Sequence, residues 1–229
     1  MLLAVPAVLS TDQLATVRQL VTAGDWQDGR TTAGVQSWLA KNNQQLSGDD
    51  PAAIGAGQII LSALGGNGLF MSAALPDSIF PPLFNRYDAA SGHGFGDHID
   101  NAIRYLPDGS GKMRTDLSAT LFLSDPEDYD GGELVIEDSY GAHEVKLSAG
   151  DLILYPATSL HRVEPVTRGE RLASFFWIQS MVREDGQRTL LLDMDAAIRT
   201  LAGKIGDEDP AIVSLTGAYH NLLRRWADC

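Results

Sequence analysis

The chain has 229 residues, 44% of them hydrophobic, which is ample for one cored domain with appendages or two small ones. It carries 30 acidic against 17 basic side chains, a formal charge of -13 that speaks against nucleic-acid phosphate or an anionic membrane surface as the main partner. Its single cysteine, Cys229, leaves no disulfide to form within the chain, which fits a reducing cytoplasm.

Met1 to Leu9 is apolar but has no basic start, contains Pro6 and is too short for a membrane span, so it reads as an early strand. Ser10-Thr-Asp-Gln13 has the form of a capping box, and Leu14, Val17, Leu20 and Val21 follow at helical spacing up to Gly24. Trp26 to Gly34 is a turn-rich link in which Arg30 and Thr32 read as parts of a structured connection. A second helix is expected over Val35 to Leu46. A third should begin after Asp50-Pro51, with Asp50 as its cap and Gly65-Gly66 at its end. These helices carry no visible chemistry and are expected to cover one face of a sheet.

From Leu69 to Ser180 the pattern changes to short apolar runs separated by Gly, Pro, Asp and Asn. Thr115 to Leu123, Glu133 to Glu137, His143 to Leu147, Asp151 to Tyr155, Arg162 to Val166 and Arg171 to Gln179 read as strands. Asp130-Gly-Gly132 and Ala149-Gly-Asp151 read as turns. Closely spaced short strands suggest a double-sheet jelly roll, a fold that can hold a metal between its sheets. After Met181 helical spacing returns: Leu190, Leu191, Met194, Ile198 and Leu201 form one apolar side. Asp209-Pro210 then opens a last helix through Ile212, Leu215, Tyr219, Leu222, Leu223 and Trp226.

The chemistry concentrates in Gly96-Asp-His98-Ile-Asp100-Asn101. On a strand His98 and Asp100 point to one face, giving an imidazole and a carboxylate side by side. Those are two of the three ligands of a 2-His-1-carboxylate facial triad, the set used by non-haem Fe(II) oxygenases. His161, set between two strand-like runs, qualifies as the third. Arg171 lies ten residues further on and opens the next apolar strand. His93 reads as a solvated loop residue, and His143 and His220 fall outside any ligand pattern.

That order of His-x-Asp, distant His and following Arg resembles the Fe(II)/2-oxoglutarate dioxygenases. Phe84-Asn-Arg-Tyr87, Phe95-Gly-Asp-His-Ile-Asp-Asn101, Arg114 to Ser124, Gly131-Gly-Glu-Leu-Val135 and Gly169-Glu-Arg171 resemble their prolyl-4-hydroxylase-like branch. More closely, the whole chain resembles the bacterial PKHD-type hydroxylases. Trp26-Gln-Asp-Gly-Arg30, Thr32-Ala-Gly34, Lys41-Asn-Asn-Gln-Gln-Leu46 and Tyr219-His-Asn-Leu-Leu-Arg-Arg-Trp226 are similar to that group as well. Phe95 stands where some prolyl-hydroxylase relatives have a tyrosine, so one hydroxyl is missing here.

The resemblance implies an α+β protein. Residues 1–80 would pack as a strand and helices on the sheet, 81–180 would form the jelly-roll core and 181–229 a C-terminal helical extension. It implies Fe(II) on His98, Asp100 and His161, 2-oxoglutarate on Arg171 with Tyr87 and Asn101 nearby, and ascorbate as an accessory reductant. It implies hydroxylation of a small-molecule or peptidyl substrate with release of succinate and carbon dioxide, and a homo-oligomer through the C-terminal helices. A siderophore-related molecule and a protein residue are both candidate substrates. A cupin-like metal enzyme without 2-oxoglutarate would leave Arg171 idle, and a non-enzymatic jelly-roll module would leave the triad unexplained.

Overall fold

Leu117–Phe122 is buried along its whole length, yet its two faces differ in chemistry. Leu117, Ala119 and Leu121 join an apolar core, whereas Ser118 and Thr120 line a cavity. Period-two alternation thus gives one strand a packing face and a working face.

The computed structural model of the chain describes residues 1–32 and 40–228. Leu117–Phe122 lies inside an eight-stranded sheet that runs Leu3–Val5, Leu152–Pro156, Leu117–Phe122, Glu170–Ser180, Leu83–Asp88, Gln44–Leu46 and Trp26–Asp28, with Pro76–Ile79 also paired to Glu170–Ser180. A second sheet orders Gly141–Val145, Leu134–Asp138, His161–Val163, Gly94–His98 and Lys41–Asn42. Every pairing in both sheets is antiparallel. Tyr87, Phe122, Ile153 and Tyr155 of the first sheet pack against Leu134, Ile136, Val145 and Val163 of the second. This is the α+β jelly roll expected from the spacing of the strands.

Helices α1 (Thr11–Thr22) and α2 (Pro51–Gly66) cover the outer face of the large sheet. Val17, Val21, Ile60 and Leu64 meet Leu117, Leu121, Leu154 and Phe176 there. The Ser10–Gln13 capping box forms in both directions, and Asp50 caps the next helix by accepting from the Ala52 N–H. Helices α4 (Asp185–Ile205) and α5 (Pro210–Trp226) close the chain. Tyr219, Leu222, Leu223 and Trp226 pack on Leu75, Val182 and Leu191. No single described helix is long and apolar enough to cross a membrane.

Several expectations need correction. Residues 35–39 of the expected second helix lie outside the described residues, and Lys41–Asn42 and Gln44–Leu46 are strands, one in each sheet. Gly68–Ala74 is a further helix, α3, capped by the Asn67 side chain and bent 85° from α2. The run from Arg162 to Val166 is two strands broken at Pro165, which has no N–H to give a ladder. The hairpin strand given as His143 to Leu147 begins at Gly141 and ends at Val145. On α4 only Leu191 of the expected stripe is fully buried; Leu190 is 58% exposed.

Candidate metal centre and cosubstrate pocket

His98 closes the strand Gly94–His98, and His161 opens the strand His161–Val163. The two are register partners in adjacent antiparallel strands, with ring centroids 4.2 Å apart. Each ring has its Nδ1 against a backbone carbonyl, Gly96 at 2.8 Å for His98 and Ser159 at 3.0 Å for His161. Both carbonyls can only accept, so each Nδ1 carries the proton and each Nε2 is left as a bare lone pair.

Asp100 lies two residues beyond the end of its strand rather than within it, so irregular backbone and not the pleat aims its carboxylate. The Ser118 hydroxyl donates to Asp100 Oδ2 at 2.6 Å, and that oxygen stands 3.8 Å from His161 Nε2. One ligand atom from each of the three residues fits within 4.8 Å of the others. Burial, with the neighbouring His161 second, pushes the His98 imidazole down to about 4. It is therefore neutral near pH 7, as a metal ligand must be. Two imidazoles and one carboxylate on one side of a cavity match the donor set of an open Fe(II) site.

Arg171 is 1% exposed, and its Nε, Nη1 and Nη2 have no hydrogen-bond partner among the described residues. Its guanidinium lies 5.3 Å from the ring centres of both Tyr87 and Phe122. A buried, unpaired cation is costly unless an anion arrives to meet it. The planar fork suits a carboxylate. The donors present thus fit both iron and a diacid such as 2-oxoglutarate.

The cavity also takes in Tyr87, Asn101, Phe175, Trp177 and Tyr155, so every site residue expected from the sequence borders one space. Burial raises the Tyr87 and Tyr155 phenols above their usual value, which keeps both as neutral donors. Phe95 stacks on the His98 ring at 3.6 Å, filling with apolar surface the position where a tyrosine would have brought a hydroxyl. His93 is buried, not solvated; its Nδ1 accepts from the Asp88 N–H at 3.1 Å and so fixes the turn before the ligand strand.

Lys41, Asn43, Gln45 and Asn85, which sequence reasoning missed, line the cavity together with Arg104. The first three sit at residues 41–46, the part of the expected second helix that is strand. Their alternation, Lys41, Asn43 and Gln45 inward, is the period-two signal that was available. Burial, with the Arg104 charge second, brings the Lys41 ammonium down to about 8.

Residues 82–179 match the model of the 2OG-Fe(II) oxygenase superfamily, and residues 185–228 that of the PKHD-type hydroxylase C-terminal domain. A PKHD-type hydroxylase of Phenylobacterium zucineum (strain HLK1) is 60% identical over 228 residues, covering all of both chains. The chain belongs to the PKHD-type hydroxylases. Another PKHD-type hydroxylase, from Saccharophagus degradans, is 60% identical over 227 residues and 99% of each chain. Among solved structures, a prolyl hydroxylase from Trichoplax adhaerens, in complex with a hypoxia inducible factor peptide fragment, aligns over 82% of this chain and 86% of its own, with TM-score 0.59 and 16% identity. A Pseudomonas putida prolyl-4-hydroxylase aligns over 78% and 92%, with TM-score 0.50 and 23% identity. These distant likenesses establish the fold. As a PKHD-type hydroxylase the chain is an Fe(II)- and 2-oxoglutarate-dependent dioxygenase. The cupin-like and non-enzymatic readings fall away.

Proposed function

We propose that His98, Asp100 and His161 hold the iron, that Arg171 anchors the distal carboxylate of 2-oxoglutarate, and that Tyr87 and Asn101 border the bound cosubstrate. The observation that carries this reading is the buried Arg171 guanidinium, unpartnered in the same cavity as the triad. The reaction hydroxylates a small-molecule or peptidyl substrate. When bound, iron and 2-oxoglutarate together activate dioxygen, so that one oxygen atom enters succinate as carbon dioxide leaves and the other enters the substrate.

The chain's own residues supply geometry and charge. The carbonyls of Gly96 and Ser159 fix the two imidazole tautomers, and Ser118 holds the Asp100 carboxylate in one rotamer. Arg171 orients the diacid by its far end, leaving the 2-oxo acid end to face the triad. Tyr87 and Phe122 wall the guanidinium from water, which strengthens its hold on an anion. Phe175 and Trp177 add further apolar wall to the same cavity.

In this reading residues 81–180 carry the chemistry, 1–80 brace the large sheet and 181–229 form a helical extension. The exposed Leu201, Ile205 and Val213 of that extension are the face for a second copy of the chain. The compartment is the reducing cytoplasm, ascorbate is an accessory reductant, and neither nucleic acid nor membrane is a partner. The test is succinate release from 2-oxoglutarate by purified protein, with and without Fe(II) and oxygen. Release that needs both supports the assignment, and its absence in the iron-loaded protein overturns it.

A further inference from the structure

The cavity has a charge that the rest of the protein does not. The chain is strongly acidic, yet the charged side chains lining this space are the cations Lys41, Arg104 and Arg171 and the single carboxylate Asp100. Residues 33–39 bring no ionisable side chain, so that balance holds whatever their position. Iron(II) adds two positive charges and 2-oxoglutarate two negative ones. The positive excess therefore persists when both have bound.

Arg171 and Arg104 mark opposite ends of the space. Arg171 lies beside Tyr87, its register partner, whereas the Arg104 guanidinium stacks 3.6 Å from the Trp177 ring. Trp177 is six residues along the same strand from Arg171, about 20 Å at the usual rise per residue. That is longer than a five-carbon diacid. Trp177 is in turn the register partner of Ser118, which holds Asp100. Asp100 and Arg104 thus share the Trp177 end of the cavity, away from Arg171.

Lys41 approaches the triad from the strand next to that of His98, in the second sheet. It is the register partner of Phe95, its ammonium lies 5.7 Å from that ring, and Phe95 stacks on His98. The ammonium donates to Gln45 Oε1 at 2.8 Å. Lys41 is 7% exposed, and the charge of Arg104 is felt there, as the lowered Lys41 ammonium shows. The Nε of Arg104 is buried with no hydrogen-bond partner among the described residues. Asp100 acts on both cations and offsets part of their charge, and an anion seated between them would offset the remainder.

Resting on the site reading above, we propose that Lys41 and Arg104 form an anion clamp on the substrate side of the triad, and that the substrate is a small acid bearing a carboxylate or phosphate group. Trp177 holds the Arg104 fork flat and Phe95 sets the reach of Lys41. The acid group docks between them, which presents a neighbouring C–H bond to the iron side of the cavity.

The experiment uses the anaerobic Fe(II) protein with saturating 2-oxoglutarate, titrated calorimetrically with acetate and, separately, with inorganic phosphate. One saturable site is expected that does not compete with 2-oxoglutarate. Loss of one charge-assisted contact, in Arg104→Gln or Lys41→Met, should weaken it roughly tenfold. Arg104→Lys should restore part of the loss, and it provides the reading should Arg104→Gln fail to fold. Tighter acetate assigns a carboxylate substrate, tighter phosphate a phosphate ester. No saturable binding of either anion, competition with 2-oxoglutarate, or equal affinity in the substituted proteins overturns the clamp. Succinate release by the same preparation separates the two readings: without it the site assignment fails, and with it but no clamp only this inference does.

Discussion

His98 and His161 occupy one register position on neighbouring antiparallel strands, and their rings meet at 4.2 Å. Two imidazoles that close, both with Nδ1 tied back to a carbonyl, leave two bare Nε2 atoms beside the Asp100 carboxylate.

His161→Ala removes one of those Nε2 atoms and, on the proposed assignment, should abolish tight Fe(II) binding while the fold persists. Ser118→Ala keeps all three ligands but frees the Asp100 carboxylate, and should weaken iron about 10–100-fold. Anaerobic Fe(II) titration ranks the two. Full iron affinity in His161→Ala would remove that residue from the site.

Arg171→Lys keeps the charge but loses the two-point fork. The 2-oxoglutarate concentration needed for half-maximal succinate release should rise about 10–100-fold with iron affinity intact. An unchanged value would hand the carboxylate to Arg104. Arg114 is no substitute, because its Nε donates to Asp116 at 2.6 Å.

How far the sequence reached follows from what each residue does locally. That His98, Asp100 and His161 come together was legible because the proposed ligand set has its own spacing, and helices capped by Ser10 and Asp50 were legible because caps are short-range signals. The strands at Lys41–Asn42 and Gln44–Leu46 were not. Their side chains are polar yet buried against a cavity, so the usual apolar alternation is absent. The place of Arg104 beside Trp177 and Asp100 was hidden for a different reason. Only the pairing of Ile103–Tyr105 with Lys112–Arg114, and the stack on Trp177, bring it to the triad.

Lys41 should cost the iron-free protein stability. In the folded chain it is lowered to about 8, from the 10.5 usual for a free lysine, so between those pH values the unfolded chain holds a proton that the folded chain has released. Stability therefore rises with pH through that window, and the full penalty stands below pH 8. Lys41→Met also loses the bond to Gln45, leaving a net gain of about 2 kcal/mol at pH 7. Urea unfolding at pH 7 and pH 10 checks this: the variant should lead at pH 7 and lose that lead by pH 10. A variant less stable at both would show that burial does not strain the ammonium.

Leu191 is fully buried where α4 meets Leu75 and Val182, in an apolar cluster separate from the one between the two sheets. Leu191→Ala should destabilise by about 2–5 kcal/mol, lowering the melting temperature while Fe(II) affinity stays as it was. Iron affinity that falls in step with stability would tie the extension to the metal centre.

The last prediction concerns what the oxidised substrate receives. Two imidazoles and the Asp100 carboxylate leave three places on a six-coordinate iron, enough for a chelating 2-oxo acid and for oxygen. A halide ligand would need the place that Asp100 takes. It would have to displace a carboxylate that Ser118 holds at 2.6 Å and that already places negative charge beside the metal. A second anion there is disfavoured on charge and on space alike. Oxygen transfer is therefore the expected outcome, with no halogen transfer. A bacterial metabolite extract treated with the iron-loaded protein, 2-oxoglutarate and oxygen-18 gas in bromide buffer tests this without knowledge of the substrate. Products that appear should carry oxygen-18 and lack the paired isotope pattern of bromine. A brominated product from the unaltered protein would mean that Asp100 leaves the metal during turnover, and the assignment of that carboxylate as a permanent ligand would fall.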